Sequence, residues 1–302
     1  ALKPCVKKQV AQELADENTC SIHRACKIIS LSKAGFYHKP KQRDDSTIIV
    51  ALQKNVEEHP QEGFWLSYHR FRNQGYLWNH KRVFRIYQSM GLSLRRKMKK
   101  RLPSRVKEPL LVPETINDTW SIDFMSDALD NKRRFRSFNI MDDYNREALH
   151  IEIEYSFPSS RVVYILNRLT KKRGLPSKIR MDNGPEFIAK ILQNWAEVKG
   201  IKFHYIQPGK PTQNAFIERL NRTYRENVLD AYMFTNLMEV REQTEVWMDD
   251  YNNYRPHKSL GNKPPRQYND IDLLKTLVPR VSNKSTSQNH RHNERNLEKC
   301  LP

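Results

Sequence analysis

Three acidic residues, Asp123, Asp182 and Glu218, stand at positions where chemistry could use a carboxylate. Asp123 lies in an alternating apolar run that predicts a strand, and a buried carboxylate is costly there unless it is paired or binds a metal. Asp182 ends a short predicted strand before a glycine turn, and Glu218 lies near the start of a long predicted helix. Considered singly, an ion-paired strand residue, a turn residue and a surface glutamate are the open alternatives.

Residues 115–235 are predicted to form the domain that positions these acids. Three alternating apolar runs indicate a meander of strands, and shorter strands alternate with helices after them. This order is typical of an α/β domain with a mixed sheet. The predicted strands are 120–125, 135–141, 149–155, 178–181 and 201–206, and the predicted helices are 158–174, 185–200 and one from about 212.

Four motifs in order along nearly the whole chain carry a resemblance. They are Gly-Tyr-Leu-Trp-Asn-His-Lys-Arg-Val-Phe-Arg-Ile-Tyr at 75–87 with Met-Gly-Leu at 90–92, Trp-Ser-Ile-Asp at 120–123, Met-Asp-Asn-Gly-Pro-Glu-Phe at 181–187 with Gln-Pro-Gly-Lys-Pro-Thr-Gln-Asn-Ala-Phe-Ile-Glu-Arg at 207–219, and Tyr-Asn-Asn-Tyr-Arg-Pro-His-Lys-Ser-Leu-Gly at 251–261 with Pro264 and Pro265. Together they resemble the catalytic-frame (OrfB-type) transposases of two-reading-frame bacterial insertion sequences, relatives of retroviral integrases. The run 63–68 departs from the family's usual pattern.

The resemblance implies an α/β ribonuclease-H-like catalytic core, a five-stranded mixed sheet with flanking helices, preceded by all-α helix-turn-helix DNA-binding units. It also implies that Asp123, Asp182 and Glu218 form a catalytic triad that binds two Mg²⁺ ions, with Mn²⁺ as an alternative ion. Hard divalent ions prefer carboxylate oxygen, and two ions roughly 3.5–4 Å apart can activate a nucleophile and stabilise a leaving oxygen. In this expectation Asp123 bridges both ions and the other acids complete one each.

The activity that the resemblance implies is DNA transposition. The enzyme would bind the terminal inverted repeats of its insertion sequence, free the 3′ ends with water and join each 3′-hydroxyl to DNA. The expected partners are double-stranded DNA, as element ends and as target, and further copies of the chain in a dimer or larger assembly. We expect a cytoplasmic, nucleoid-associated protein without a membrane segment, because no apolar run approaches the roughly 18 residues that span a bilayer.

The charge of the chain also indicates a polyanionic partner. Its 53 Lys and Arg residues against 34 Asp and Glu residues give a net charge of +19 and a pI near 9.8. Nucleic acid is the default partner for such an excess, with an anionic membrane surface or an acidic protein as alternatives. Most of the excess precedes residue 111, so DNA recognition is expected in the N-terminal third and chemistry in the remainder.

Composition and periodicity divide the chain into six predicted segments. They are a helix-turn-helix-like segment at 1–42, a second helix-turn-helix DNA-binding domain at 47–100, a basic proline-containing linker at 101–114, the catalytic core at 115–235, a C-terminal helical extension at 236–280 and a disordered polar tail at 281–302.

Basic and polar residues in several places are expected to contact DNA. On the predicted helix that begins near Asn79, the cations Lys81, Arg82 and Arg85 face outward. The other expected contacts are Arg95, Arg96, Lys97, Lys99, Lys100 and Arg101 around the start of the linker, Lys210, Gln213 and Asn214 in the loop before Glu218, and Arg222 and Arg225 on the helix that follows. An ordinary solvated helix surface is the alternative for the helical cations, Arg222 above all.

Several further residues of chemical interest are expected to be structural. The spacing of Cys20, His23 and Cys26 matches no common zinc finger, and Cys26 is interpreted as a small buried helix residue. Metal-bound water needs no general base, so a histidine in the C-terminal motif is not required for chemistry. The other residues expected to be structural are Asp142 and Asp143 in the turn after the second strand, His257, Trp195 and Trp247.

Two other classes of function compete with transposition. A DNA-binding regulator or assembly subunit would keep the basic N-terminal third but would not need a complete acidic triad. A metal-dependent nuclease on the same fold would cut DNA without joining it, and the sequence separates it poorly from a transposase. The two predicted helix-turn-helix units favour end-specific transposition.

Overall fold

The computed structural model describes residues 3–17, 20–39, 44–94, 112–207 and 214–268. The chain divides into two compact units, Ala1–Lys54 and Asn55–Pro302. The predicted tail and nearly all of the predicted linker lie outside the described residues, and the predicted segment boundaries stay predictions. The expected DNA contacts that also lie outside are Arg95, Arg96, Lys97, Lys99, Lys100, Arg101, Lys210 and Gln213.

In the described part of the first unit, three short helices pack around a small core. They are α1 (Pro4–Asp16), α2 (Ile22–Ile28) and α3 (Lys33–Tyr37). Ser21 and Ser32 each accept a hydrogen bond from the backbone N–H three residues on, as helix N-caps do, and thereby set where α2 and α3 begin. The core consists of Ala11, Ala25, Cys26 and Phe36. The prediction that Cys26 is a buried helix residue is confirmed.

Three further helices precede the sheet. They are α4 (Ser46–Glu58), which crosses the boundary between the units, α5 (Phe64–Asn73) and α6 (His80–Ser89). The side chain of Asn79 caps α6 by accepting a hydrogen bond from the Lys81 N–H at 2.8 Å. Val83, Ile86 and Tyr87 are buried along one side of α6. The predicted all-helical region is therefore present, and its interpretation as DNA-binding helix-turn-helix units stays a prediction.

Five strands form one mixed sheet in the order β3-β2-β1-β4-β5. They are β1 (Thr119–Ala128), β2 (Arg134–Asp142), β3 (Ala148–Glu154), β4 (Lys178–Met181) and β5 (Lys202–Tyr205). The first three strands pair antiparallel, whereas β4 pairs parallel with β1 and β5 pairs parallel with β4. The predicted five-stranded ribonuclease-H-like core is confirmed, and β1 lies at its centre.

Side chains alternate between the two faces of a strand, and buried apolar residues of this sheet lie on both faces. Helices therefore cover both faces. The helices are α7 (Ser159–Arg173), α8 (Pro185–Ile188), α9 (Lys190–Lys199), α10 (Ala215–Tyr224) and α11 (Leu237–Asn253). Trp120 and Phe138 belong to a core that includes residues of α7 and α9. Met141 and Ile153 belong to a second core that includes residues of α10 and α11. α10 is thus anchored directly over the sheet.

Two helix boundaries differ from the prediction. The helix predicted over 185–200 is two helices, α8 and α9, because Ala189 between them is extended with φ −61° and ψ 136°. The sequence has no proline or glycine at that point, so nothing in it signals the break. α10 is followed by a π-helical turn at Arg225–Leu229.

Trp195 and Trp247 are each 8% exposed and lie in the two cores, which confirms the prediction that both are structural.

Candidate active site

The three predicted catalytic acids lie on three neighbouring elements. Asp123 is in β1, Asp182 directly follows β4, and Glu218 is in the first turn of α10. The parallel pairing of β1 with β4 reaches Ser121 and Arg180, and the same register continued by two residues sets Asp123 beside Asp182. α10 packs against β1 and so brings Glu218 to the same strand. Asp123 and Asp182 are half-buried, whereas Glu218 is exposed.

The electrostatics of Asp123 reflect this convergence. Burial raises the pKa of Asp123 to about 6, and the charges of Asp182 and Glu218 also raise it, against the lowering effect of a hydrogen bond from the Phe124 N–H. Within the described ranges, no Lys or Arg forms an ion pair with any of the three acids. The alternative in which Asp123 is held by a neighbouring arginine therefore has no support in that part of the chain.

Two buried asparagines orient the Asp123 carboxylate. The Asn221 side chain donates a hydrogen bond to Oδ2 of Asp123 at 2.7 Å, and Asn139 donates to the side-chain oxygen of Asn221 at 2.7 Å. Asn139 is also the cross-strand partner of Asp123 in β2. Sequence reasoning missed both residues. The signal for Asn221 was its spacing three residues after Glu218, which puts both on one helical face.

The turn after β4 fixes the second acid. Oδ1 of Asp182 accepts a hydrogen bond from the Gly184 N–H at 3.0 Å, which closes the turn over the carboxylate. Glu186 at the start of α8 forms an ion pair with Arg136 of β2 and ties the turn to the sheet. A Cβ added at Gly184 would lie 3.0 Å from Oδ1 of Asp182. Glycine is thus the residue that leaves the carboxylate in place.

Gly184→Ala is expected to reduce catalytic activity roughly tenfold with little loss of stability. The backbone at Gly184 has φ −60°, which suits any residue, so the effect comes from displacing the Asp182 carboxylate. Disturbing the groups that orient a metal ligand commonly costs about 10–100-fold. The initial rate of the DNA joining that the family resemblance implies measures the effect. Gly63→Ala is the control, because a Cβ there would meet Leu94 alone, at 3.9 Å, among the described residues. Equal rates for the two variants would contradict the assigned role of this turn.

The described residues among the expected DNA contacts have different surroundings. Lys81 and Arg85 are exposed on α6, and Arg222 is exposed on α10, one turn after Glu218. Arg225 begins the π-helical turn and is already engaged. It donates hydrogen bonds to Asp127 Oδ2 and to the Ser126 carbonyl.

Two other residues that are expected to contact DNA are less exposed to solvent. Asn214 is 3% exposed at the start of α10, and Arg82 on α6 is partly buried. Contact with DNA stays a prediction for all of the residues proposed for it.

The acids after the second strand are buried structural groups. Asp142 accepts hydrogen bonds from the backbone N–H groups of Asn117, just before β1, and of Tyr144, two residues further along the same turn. Asp143 accepts a hydrogen bond from Ser121 Oγ at 2.6 Å and forms an ion pair with Arg180. Burial raises the pKa of each acid to about 6. They anchor the turn, as expected, but sequence reasoning did not foresee that both are fully buried.

One cluster has the residue types of a metal site, but its carboxylates are already neutralised by arginines. Among the described residues, His59, Glu62 and Asp250 offer ligand atoms within 4.8 Å of one another. Arg70 donates hydrogen bonds to both of these carboxylates, and Arg255 forms an ion pair with Glu62. Because two guanidinium groups already neutralise the acids, a divalent cation has no electrostatic advantage there. Within the described part of the chain, the triad around Asp123 has no such cation and is the better candidate for metal.

Comparison with known proteins identifies the chain. Its sequence matches the integrase core domain family twice, over residues 113–211 and residues 199–265. The 39.2 kDa protein of insertion element IS476 from Xanthomonas euvesicatoria is 34% identical over 268 residues, which cover 88% of this chain and 78% of that protein. The 31.7 kDa protein of insertion element IS407 from Burkholderia multivorans is 34% identical over 249 residues, 82% of this chain and 90% of that protein.

A more distant relative carries a functional name. Transposase InsD of insertion element IS2A/D/F/H/I/K from Escherichia coli is 24% identical over 242 residues, which cover 76% of this chain and 80% of that protein. The two integrase-core matches together span the sheet, α10 and α11. With two insertion-element relatives at 34% identity over most of its length, the chain belongs to the OrfB-type insertion-sequence transposases and is an enzyme of the DDE transposase and integrase class.

Proposed function

We propose that this transposase cuts and joins DNA at the terminal inverted repeats of its insertion sequence, with Asp123, Asp182 and Glu218 as its metal-binding catalytic residues. The observation that carries the proposal is the convergence of three carboxylates beside one strand, where burial first, and then the charges of Asp182 and Glu218, raise the pKa of Asp123. Like charges held together without a cation destabilise a fold, so such an arrangement calls for a bound cation.

The donor set of the site fits Mg²⁺. All three side chains offer carboxylate oxygen, which hard divalent ions prefer, and no thiol or imidazole is among them. Bound ions would activate the attacking oxygen and stabilise the leaving oxygen of the phosphodiester. We propose two ions, with Mn²⁺ able to replace Mg²⁺, and Asp123, Asp182 and Glu218 would hold them.

The residues of the chain itself supply position and access. Asn221 holds one oxygen of Asp123, and Gly184 holds one oxygen of Asp182, so both carboxylates have fixed orientations before substrate arrives. Glu218 is exposed, so a DNA strand can reach this side of the site without displacing core residues. Metal ions held by these acids would thus meet preoriented oxygen ligands, and the side chains would need no reordering when substrate binds.

DNA is the proposed partner, since transposases of this family act on DNA. The exposed cations of α6 are proposed to contact the element ends through phosphate, together with the basic residues after Leu94. Two ends must be held for a joining reaction, so we propose that the chain acts as a dimer or larger assembly. Among the described residues, no helix combines the length and apolarity that crossing a membrane requires.

The proposal is tested by incubating the protein and Mg²⁺ with labelled DNA that carries the element end. Wild type is expected to yield strand-joining products, and Glu218→Gln is expected to lower their rate by roughly 100-fold or more, because residues that merely orient metal ligands are worth about 10–100-fold. Glu197→Gln is the matched control, since Glu197 is also an exposed helical glutamate but lies on α9. Replacement of Mg²⁺ by EDTA should remove all products.

Two outcomes would refute the proposal in favour of the competing functions. Cleavage of the end without any joined product would indicate a nuclease on the same fold. Binding of the end without cleavage or joining, in Mg²⁺ and in Mn²⁺, would indicate a DNA-binding regulator or assembly subunit. The same rate for Glu218→Gln and Glu197→Gln would contradict the assignment of Glu218 as a catalytic residue.

A further inference from the structure

A second site lies on the other side of α10 from the catalytic acids. It is a cavity of about 240 Å³ between α10, the turn after β2 and the segment after α11. This volume is far above the roughly 15 Å³ that one water needs, so the cavity can hold a small polyatomic group. Its polar lining includes Arg146, Arg219, Arg255, His257 and Lys258, and we call it the basic pocket.

The spacing of residues on α10 gives the helix two functional sides. Phe216, Arg219 and Thr223 follow one another at helical spacing and line the basic pocket. Glu218 and Asn221 are three residues apart on the side that faces β1, where Asn221 binds Asp123. The catalytic acids and the basic pocket are therefore separated by the width of one helix.

The cations of the pocket are poorly compensated. Among the described residues, no carboxylate lines the cavity, and Arg219 and Lys258 form no ion pair. Arg146 lies over the ring of Phe216, with its guanidinium carbon 3.3 Å from the ring centroid, and donates a hydrogen bond to the backbone carbonyl of Asp143. Arg255 alone has an ion pair with a carboxylate, that of Glu62 at 3.1 Å.

Titration behaviour reflects the same positive field. Burial lowers the pKa of His257 to about 3, and the charges of Arg255, Arg146 and Arg219 lower it too. Burial also lowers the pKa of Arg146, with Arg219 adding to the effect against the charge of Asp143. Nε2 of His257 is shielded from solvent and has no hydrogen-bond partner among the described residues. His257 is therefore neutral, as a structural residue would be, and the described lining of its pocket contains no carboxylate.

We propose that the basic pocket binds a phosphate group of the DNA backbone. Guanidinium groups match the oxygens of phosphate in bidentate geometry, and the mutual repulsion of the pocket cations is relieved when an anion enters. Free phosphate has the same chemistry and is the other source of such a group. This inference rests on the proposed function, because the DNA strand that reaches the catalytic acids is the strand that would reach the pocket.

Geometry favours a backbone phosphate close to the reacting one. A helix with its side chains is about 10–12 Å across, and phosphates recur about every 3.4 Å along the axis of each strand. A phosphate roughly three nucleotides from the reacting bond can therefore reach the pocket. The pocket would fix the register of the DNA strand relative to Glu218, which makes Arg219 and Lys258 positioning residues for the reaction.

The first test is DNA binding as a function of salt, in EDTA so that no cleavage occurs. Fluorescence anisotropy of a labelled duplex would compare wild type with Arg219→Gln/Lys258→Gln and with the control Lys190→Gln/Lys199→Gln, which removes equal charge from exposed positions of α9. Loss of one phosphate contact should reduce the slope of log K against log salt by about 1 in the pocket variant only. The thermal midpoint without phosphate should be unchanged or higher in that variant, because repulsion is relieved.

The second test separates backbone phosphate from free phosphate. Inorganic phosphate is titrated against chloride at matched ionic strength, and the thermal midpoint of wild type and of the pocket variant is followed. A phosphate effect on wild type alone, together with equal salt slopes for DNA, would assign the pocket to free phosphate and overturn the DNA assignment. Equal slopes without any phosphate effect would overturn the site itself, even where wild type joins DNA. Failure of wild type to bind DNA would instead overturn the proposed function and this inference with it.

Discussion

Asp123→Asn is expected to abolish DNA joining and, without divalent metal, to stabilise the protein by at most about 3 kcal/mol. The pKa of Asp123 is raised from 3.8 to about 6, first by burial and also by the charges of Asp182 and Glu218. The ionised carboxylate is thus less stable in the fold than in water. Asparagine has nearly the same shape and no charge, and it can still accept the hydrogen bond from the Asn221 side chain.

The pH dependence of this effect has a definite sign. In the unfolded chain the Asp123 carboxyl titrates near pH 3.8, and in the fold its pKa is about 6. Between these values the folded state binds more protons, so stability falls as pH rises through the window. The variant should therefore match wild type below about pH 4 and exceed it most above about pH 7. Asp142 and Asp143 titrate in both proteins and cancel in the difference.

Divalent metal should reverse the order of stabilities. A ligand that binds only the folded state stabilises it in proportion to the logarithm of its concentration above Kd. Mg²⁺ should raise the thermal midpoint of wild type, whose three carboxylates can hold it, and should have little effect on Asp123→Asn. Urea unfolding at several pH values, with and without Mg²⁺, measures both effects. A variant that is less stable than wild type in EDTA at neutral pH would contradict the account.

The control for this prediction is Asp249→Asn. Asp249 is an exposed aspartate of α11 whose one described hydrogen bond comes from Asn253. Its replacement should leave stability within about 0.5 kcal/mol of wild type, as surface substitutions usually do. Equal gains from both substitutions would mean that the effect comes from lowering net acidity rather than from the site.

The triad was predictable because its acids interrupt clear periodic patterns. Asp123 breaks the apolar alternation of a strand, and Asp182 ends another strand, so the sheet that brings them together follows from local sequence. Asn139 and Asn221 could not be assigned in this way. An amide is ordinary in a strand or helix, and only the cross-strand pairing of Asn139 with Asp123 shows that its side chain orients the acid.

The basic pocket was hidden for a related reason. Arg146, Arg219 and Lys258 come from three segments that are distant in sequence, and each alone resembles a surface cation. The turn after β2 is similar, since the polar run 142–147 looks solvent-exposed in the sequence but is buried throughout in the fold. Two of its acids, Glu147 and Asp143, are compensated by Arg173 and Arg180, which tertiary packing alone brings to the turn.

Arg70→Met is expected to lower the free energy of unfolding by about 3–5 kcal/mol, the usual cost of removing one partner from a buried ion pair. Arg70 is 4% exposed on α5 and donates hydrogen bonds to Glu62 and to Asp250 of α11. Burial lowers the pKa of Arg70, but its bonds to Glu62 and Asp250 outweigh that effect and hold the pKa above its usual value. The guanidinium therefore links α5, which precedes the sheet in sequence, to α11, which follows it.

The surroundings of Glu62 and Asp250 determine how much of the free energy of unfolding is lost when Arg70 is removed. Without Arg70, the partner that the buried Glu62 keeps among the described residues is Arg255 at 3.1 Å, and Asp250 keeps His59 at 3.8 Å. The Asp250 side chain is 25% exposed and can regain water, whereas Glu62 is 2% exposed and cannot. The charge of the buried Glu62, which loses one of its two arginine partners, should therefore account for most of the loss. Arg72→Met, two residues along the same helix, is the control, because Arg72 donates only to the Tyr76 carbonyl.

A double variant distinguishes the charge of Glu62 from lost packing. Arg70→Met/Glu62→Gln removes both the guanidinium and the carboxylate that it neutralises, so it should be more stable than Arg70→Met alone. Urea unfolding of wild type, both single variants and the double variant gives the coupling energy directly. If the two losses simply add, the role of Arg70 is packing between α5 and α11 and not compensation of a buried charge. We expect the coupled result, because the side chain of Glu62 has almost no access to solvent.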